Sequence, residues 1–126
     1  MPTDRRKTTA EDLKREVLAK IDHYASNGFP EAGRLHELIM LANPALVPRL
    51  WYGMPGYAKS KDAPVLCFFR KDTFISFGIT ESVKPNQLNG ITSKCYPSAW
   101  YITSLDEAVE TLIQGVVKQA TSGLTS

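Results

Sequence analysis

The chain has 126 residues, 43% of them hydrophobic and 22% charged, with a formal net charge of +2 at pH 7. That length fits a single domain, residues 1–126, whose core is large enough to need no disulfide staples. The small charge is no nucleic-acid footprint, and no window approaches the roughly 18 apolar residues of a membrane-spanning helix. Neither nucleic acid nor membrane is therefore expected as a partner.

The charged, polar N-terminus lacks the apolar stretch of a secretory signal, and Cys67 and Cys95 stand at no metal or redox spacing. A cytoplasmic protein with free thiols is the expectation. Residues 1–7, with Arg5-Arg6-Lys7, read as a solvated, flexible arm.

Thr8 and Glu11 have the spacing of a capping box, and Leu13, Val17, Ile21 and Tyr24 then recur at helical steps. Asn27-Gly28 ends that helix. A second runs from Glu31 to Ala42, with Leu35, Leu38, Ile39 and Ala42 on one face, and stops before Pro44. Ala45 to Leu50, bracketed by Pro44 and Pro48, predicts a short helical turn.

The period then changes to two. Met54–Ala58 supplies a strand, and Pro64–Phe69 and Thr73–Ile79 predict a hairpin turning at Lys71-Asp72. In its second arm Thr73, Ile75, Phe77 and Ile79 share one face, and Phe74, Ser76 and Gly78 the other. Ala99–Thr103 supplies a further strand after a long connection from Thr80 to Pro97. Ser104 and Glu107 suggest a second capping box, opening a helix with the apolar stripe Leu105, Val109, Leu112, Ile113, Val116, Val117 and Ala120. The small, polar tail 121–126 is expected to fray. Helices at both ends and strands between give α+β, two layers, with the helices packed on one face of an antiparallel sheet.

The order of Trp51-Tyr52-Gly53-Met54-Pro55-Gly56-Tyr57, Val65-Leu66-Cys67-Phe68-Phe69, Phe77-Gly78-Ile79 and Tyr96-Pro97-Ser98-Ala99-Trp100 resembles the YdhG-like proteins, a bacterial and archaeal family of unknown function. The resemblance runs from about Thr8 to Ala120. It implies two helices, an antiparallel sheet and a closing helix. Some relatives are described as frataxin-like iron chaperones, so the resemblance raises iron as a cargo, without a ligand motif to carry over.

Two readings of the aromatic segment stand side by side. In one, Gly53 and Gly56 turn the chain while Trp51, Tyr52 and Tyr57 serve as core and rim. In the other, a rigid turn at Met54-Pro55 presents backbone groups between aromatic walls. A small-ligand site would then comprise Trp51, Tyr52, Gly53, Met54, Pro55 and Tyr57, with Tyr96, Trp100 and Tyr101 approaching from the last strand. The same patch is the alternative candidate for a homodimer interface.

For iron, Glu11, Asp12 and Glu16 are the candidate ligands, because hard ions take oxygen donors. Their interleaving with Lys14, Arg15 and Lys20 equally fits ordinary ion pairing on a solvated helix. His23 and His36 form no ligand pair, and no histidine is placed by sequence beside Cys67 or Cys95. A binding module rather than an enzyme is expected.

Overall fold

A computed structural model describes residues 8–83 and 97–121. Helix α1 spans Ala10–Ser26 and α2 spans Glu31–Ala42. Five strands follow: β1 Val47–Trp51, β2 Met54–Ala58, β3 Val65–Lys71, β4 Ile75–Ile79 and β5 Ala99–Ile102. Helix α3, Glu107–Ala120, closes the chain. The strands form an antiparallel meander in the order β1-β2-β3-β4-β5. The α+β class holds, and the helices bury their apolar faces against one face of the sheet.

Both helix starts differ in detail from expectation. The capping box of α1 is one residue on, at Thr9 and Asp12: the Asp12 N–H donates to Thr9 Oγ1 and the Thr9 N–H to Asp12 Oδ2, each at 3.1 Å. At α3 the cap is Asp106, whose carboxylate accepts from the Val109 N–H at 2.9 Å. In each case a carboxylate or hydroxyl three residues before a free N–H wins, because the first turn leaves its amides unpaired.

Residues Val47–Trp51 are a strand, not the expected helical turn. Pro44 and Pro48 favour extended backbone before them as readily as a turn, and an edge strand is where a proline is tolerated. β1 is such an edge, paired only to β2, and α1 packs along it.

Strand parity sets the two faces. Tyr57, Cys67, Phe69, Ile75, Phe77 and Ile79 turn inward to the helices and are all buried. Arg49, Trp51, Phe68, Arg70, Ser76, Gly78 and Tyr101 share the opposite face. The split between Ile75/Phe77/Ile79 and Ser76/Gly78 is the expected one, while the β3–β4 turn falls later, at Asp72-Thr73-Phe74.

Helix α3 is fastened chiefly to α2 and touches the sheet much less. Near its start, Arg34 grips Glu110 with two hydrogen bonds, Nε to Oε2 at 3.0 Å and Nη2 to Oε1 at 2.8 Å. At its end, Asn43 Nδ2 donates to Thr121 Oγ1 at 3.0 Å, and that hydroxyl donates to the Val117 carbonyl at 2.7 Å. The helix is thus clamped at both ends to its neighbour and spaced away from β5.

Candidate functional site

The aromatic segment does not gather into one pocket. Trp51 and Met54 flank a two-residue hairpin turn made by Tyr52 and Gly53, whose φ angles are +51° and +76°. Positive φ at both central positions is what the tight turn with strand-matched twist demands, and Gly53 meets it freely. Met54 and Pro55 lie inside β2 instead of forming the turn. Tyr52 is 85% exposed, edge-on to the Trp51 indole at 4.8 Å, and Trp51 rests against Phe68 at 4.9 Å on the outer face. Pro55 and Tyr57 are buried on the inner face.

Trp100 belongs to the inner face, across the sheet from Trp51, with its ring 5.8 Å from Phe77. The expected meeting of Trp100 with Trp51 and Tyr52 is therefore ruled out by strand parity. Tyr96 and Cys95 lie outside the described residues.

What the structure does bring together is Trp100 and α3. Because α3 follows α2, an apolar cleft of about 120 Å³ opens between β5 and the helix. Phe77 and Trp100 form one side, Val109, Leu112 and Val116 the other, and Thr103 and Ser104 also line it. A separate hollow of about 170 Å³, beside Phe29, Glu31 and Phe74, shares Ile102, Thr103 and Ser104 with the cleft. Leu112, 49% exposed, stands as a large apolar side chain that nothing covers among the described residues.

A second polar feature lies under α2. The Nδ1 of half-buried His36 is 2.7 Å from the hydroxyl of Tyr57, whose ring stacks on Phe69. Burial, and then the nearby Cys67 sulfur, push the Tyr57 hydroxyl well above its ordinary pKa. Burial and the Lys14 ammonium hold His36 below the usual imidazole value, against a smaller opposing pull from Glu37. Cys67, fully enclosed, is pushed up to about 12 by burial alone and stays a neutral thiol. The sequence places His36 and Tyr57 on a helix and a strand; only packing reveals them as partners.

Of the carboxylates considered for iron, Asp12 is committed to the Thr9 cap and to Arg15 at 3.1 Å. The Thr9 amide and hydroxyl, then Arg15, keep its carboxyl below the ordinary range. Outside that set, Glu110 is held below the ordinary carboxylate range by the Arg34 guanidinium. Among the described residues no group of three or more His, Cys, Asp and Glu side chains is placed to hold a metal ion. No helix among them is long and apolar enough to cross a membrane.

The cleft was missed from sequence because Leu112 and Val116 read simply as part of the buried stripe of α3. The available signal was the width of that stripe, more apolar positions than one neighbour can cover. Comparison with protein-family models, with curated proteins and with solved structures finds no match for this chain.

Proposed function

We propose that the chain is a small binding module that takes a single-ring or short branched apolar molecule between β5 and α3. The observation that carries this is the cleft of about 120 Å³ walled by Phe77, Trp100, Leu112 and Val116. An apolar void of about 150 Å³ accepts a benzene-sized guest, whereas drug-sized ligands and cofactors need about 300 Å³ or more. The volume thus argues for a guest of one ring and against a nucleotide or a haem. Thr103 and Ser104 offer hydroxyls to a polar substituent.

Kinship with the YdhG-like proteins is part of the proposal and rests on the residue order from Trp51 to Trp100. The reading does not require iron, because the cleft supplies a ring-sized apolar volume and no carboxylate cluster. A guest this small is expected to bind with a Kd of about 10 μM to 1 mM.

The test is a titration with toluene and p-cresol followed by NMR. Saturable shifts of the Trp100 indole N–H and of the Val109, Leu112 and Val116 methyls are expected, with Trp51 unmoved. Leu112→Trp, which fills the mouth, should abolish them while leaving the β-sheet amide resonances in place. Absence of saturable shifts from either ring compound, or shifts that survive Leu112→Trp, would overturn the reading.

A further inference from the structure

The two edges of the sheet are built differently. At β1 the edge carries Pro48, which has no N–H to offer, and α1 packs along the strand. At β5 the stretch Ser98 to Ser104 contains no proline and no charge, and among the described residues no strand pairs with its outer side. Such an edge is a hydrogen-bonding template, and this one, though only four residues long, carries neither the proline nor the charge that would blunt it.

The ladder shows which groups it presents. The Ile79 N–H donates to the Ser98 carbonyl at 2.8 Å, and the register continues as Gly78↔Ala99, Phe77↔Trp100, Ser76↔Tyr101 and Ile75↔Ile102. Bonded and non-bonded pairs alternate in an antiparallel ladder, so Ser98, Trp100 and Ile102 spend their backbone groups on β4. Ala99 and Tyr101 turn theirs to the open edge. No backbone bond to either is found among the described residues on that side.

We infer that β5 pairs with β5 of a second copy of this chain, antiparallel, about a two-fold axis through Tyr101. Three observations select a copy of the same strand. A two-fold normal to the sheet keeps inner faces together only if paired numbers sum to an even value, and the register centred on Tyr101 does so. That register also places the outward N–H and C=O of Tyr101 opposite their own counterparts, giving two mutual hydrogen bonds. Finally, Ser98 to Ser104 carries no charge, so identical strands meet there without like-charge repulsion.

The pairing acts on both faces. On the outer face Tyr101, 75% exposed, meets its twin, extending the contact it makes with Phe74 at 6.4 Å. On the inner face Trp100 comes opposite Ile102 of the second copy, alongside the cleft and the exposed Leu112. The second copy thereby covers the open side of the groove. The dimer goes beyond the small-ligand reading and does not depend on it.

Sedimentation equilibrium of the full chain across a concentration series tests this. A monomer–dimer equilibrium is expected, with Tyr101→Lys raising the dimer dissociation constant about tenfold or more by setting two ammonium groups on the axis. Tyr52→Lys, at another exposed aromatic in the β1–β2 turn, should leave it unchanged, and circular dichroism should show both variants folded. A monomer at every concentration, or a dimer indifferent to Tyr101→Lys, overturns the inference. Ring-compound shifts at Trp100 in a strictly monomeric protein would sink the dimer and leave the binding site standing.

Discussion

The Nδ1 of His36, on α2, lies 2.7 Å from the hydroxyl of Tyr57, on β2, joining a helix to the sheet through a polar contact. The geometry requires the imidazole to be neutral for full satisfaction. Nδ1 then accepts the tyrosine proton and Nε2 keeps its own hydrogen toward the half-open side. If Nδ1 becomes protonated it must donate, and the Tyr57 hydroxyl proton is left in the core beside Cys67 without a good acceptor.

This makes stability depend on pH in a defined direction. The folded protein holds His36 below its unfolded value of 6.5, mainly by burial. A depressed folded pKa means that the unfolded chain takes up the proton first. The stability is therefore complete above 6.5 and drains as the pH falls through the folded value. Thermal melts between about pH 7 and pH 5 should show this slope. His36→Asn, which keeps an acceptor near the Nδ1 position but does not titrate, should flatten it.

Tyr57→Phe separates the hydroxyl from the ring. Because His36 is only half-buried and water can replace its partner, the loss is expected to be about 0.5–1.5 kcal/mol. Tyr57→Ala, which also removes a ring stacked on Phe69, should cost about 3–5 kcal/mol. Urea melts of both variants check the ratio, and equal losses would mean that the ring contributes nothing beyond its hydroxyl.

Gly78 is a second sensitive point. A Cβ built there would stand 2.8 Å from the Phe68 Cζ and 3.0 Å from the Ser98 carbonyl oxygen. The phenyl ring must give way, yet it is held on its other side by Trp51, and the Ser98 carbonyl belongs to backbone that cannot swing aside. Gly78→Ala is expected to destabilise by about 1–3 kcal/mol, and Gly78→Ala with Phe68→Leu to recover part of that. Denaturant melts of the pair and a shifted Trp51 indole resonance would report it.

Arg34→Met should loosen one end of α3 and not the sheet. Arg34 spans Glu37 at 3.1 Å and Glu110, so its loss leaves the N-terminal half of α3 clamped by neither charge nor hydrogen bond at that point. Amide exchange at Ile113 and Val116 should speed up, while the β3–β4 ladder keeps its protection. Uniform acceleration across the whole chain would show that α3 opens only with global unfolding.

Local pattern carried most of the fold. The steps of three and four from Leu13 to Tyr24 and the alternation from Thr73 to Ile79 follow from backbone geometry alone, and both survive in the structure. Val47–Trp51 was not legible, because two prolines permit either a turn or an edge strand and only the neighbouring β2 and α1 decide. The site was harder still. Trp51 and Trp100 are separated by four connections, and their faces depend on the parity of every intervening strand, including a register shift between Tyr57 and Ala58. A cleft produced by one helix leaning on another leaves only the over-wide apolar stripe of α3 as its mark in the sequence.

The proline at the β1 edge has a bearing on how far assembly can proceed. A sheet able to accept strands at both margins propagates, each addition recreating the surface that the next one needs. Here one margin carries Pro48 and is flanked by α1, so a partner gained at β5 presents only its own blunted side to newcomers. On the proposed pairing, association through the two margins of this sheet would end at two chains.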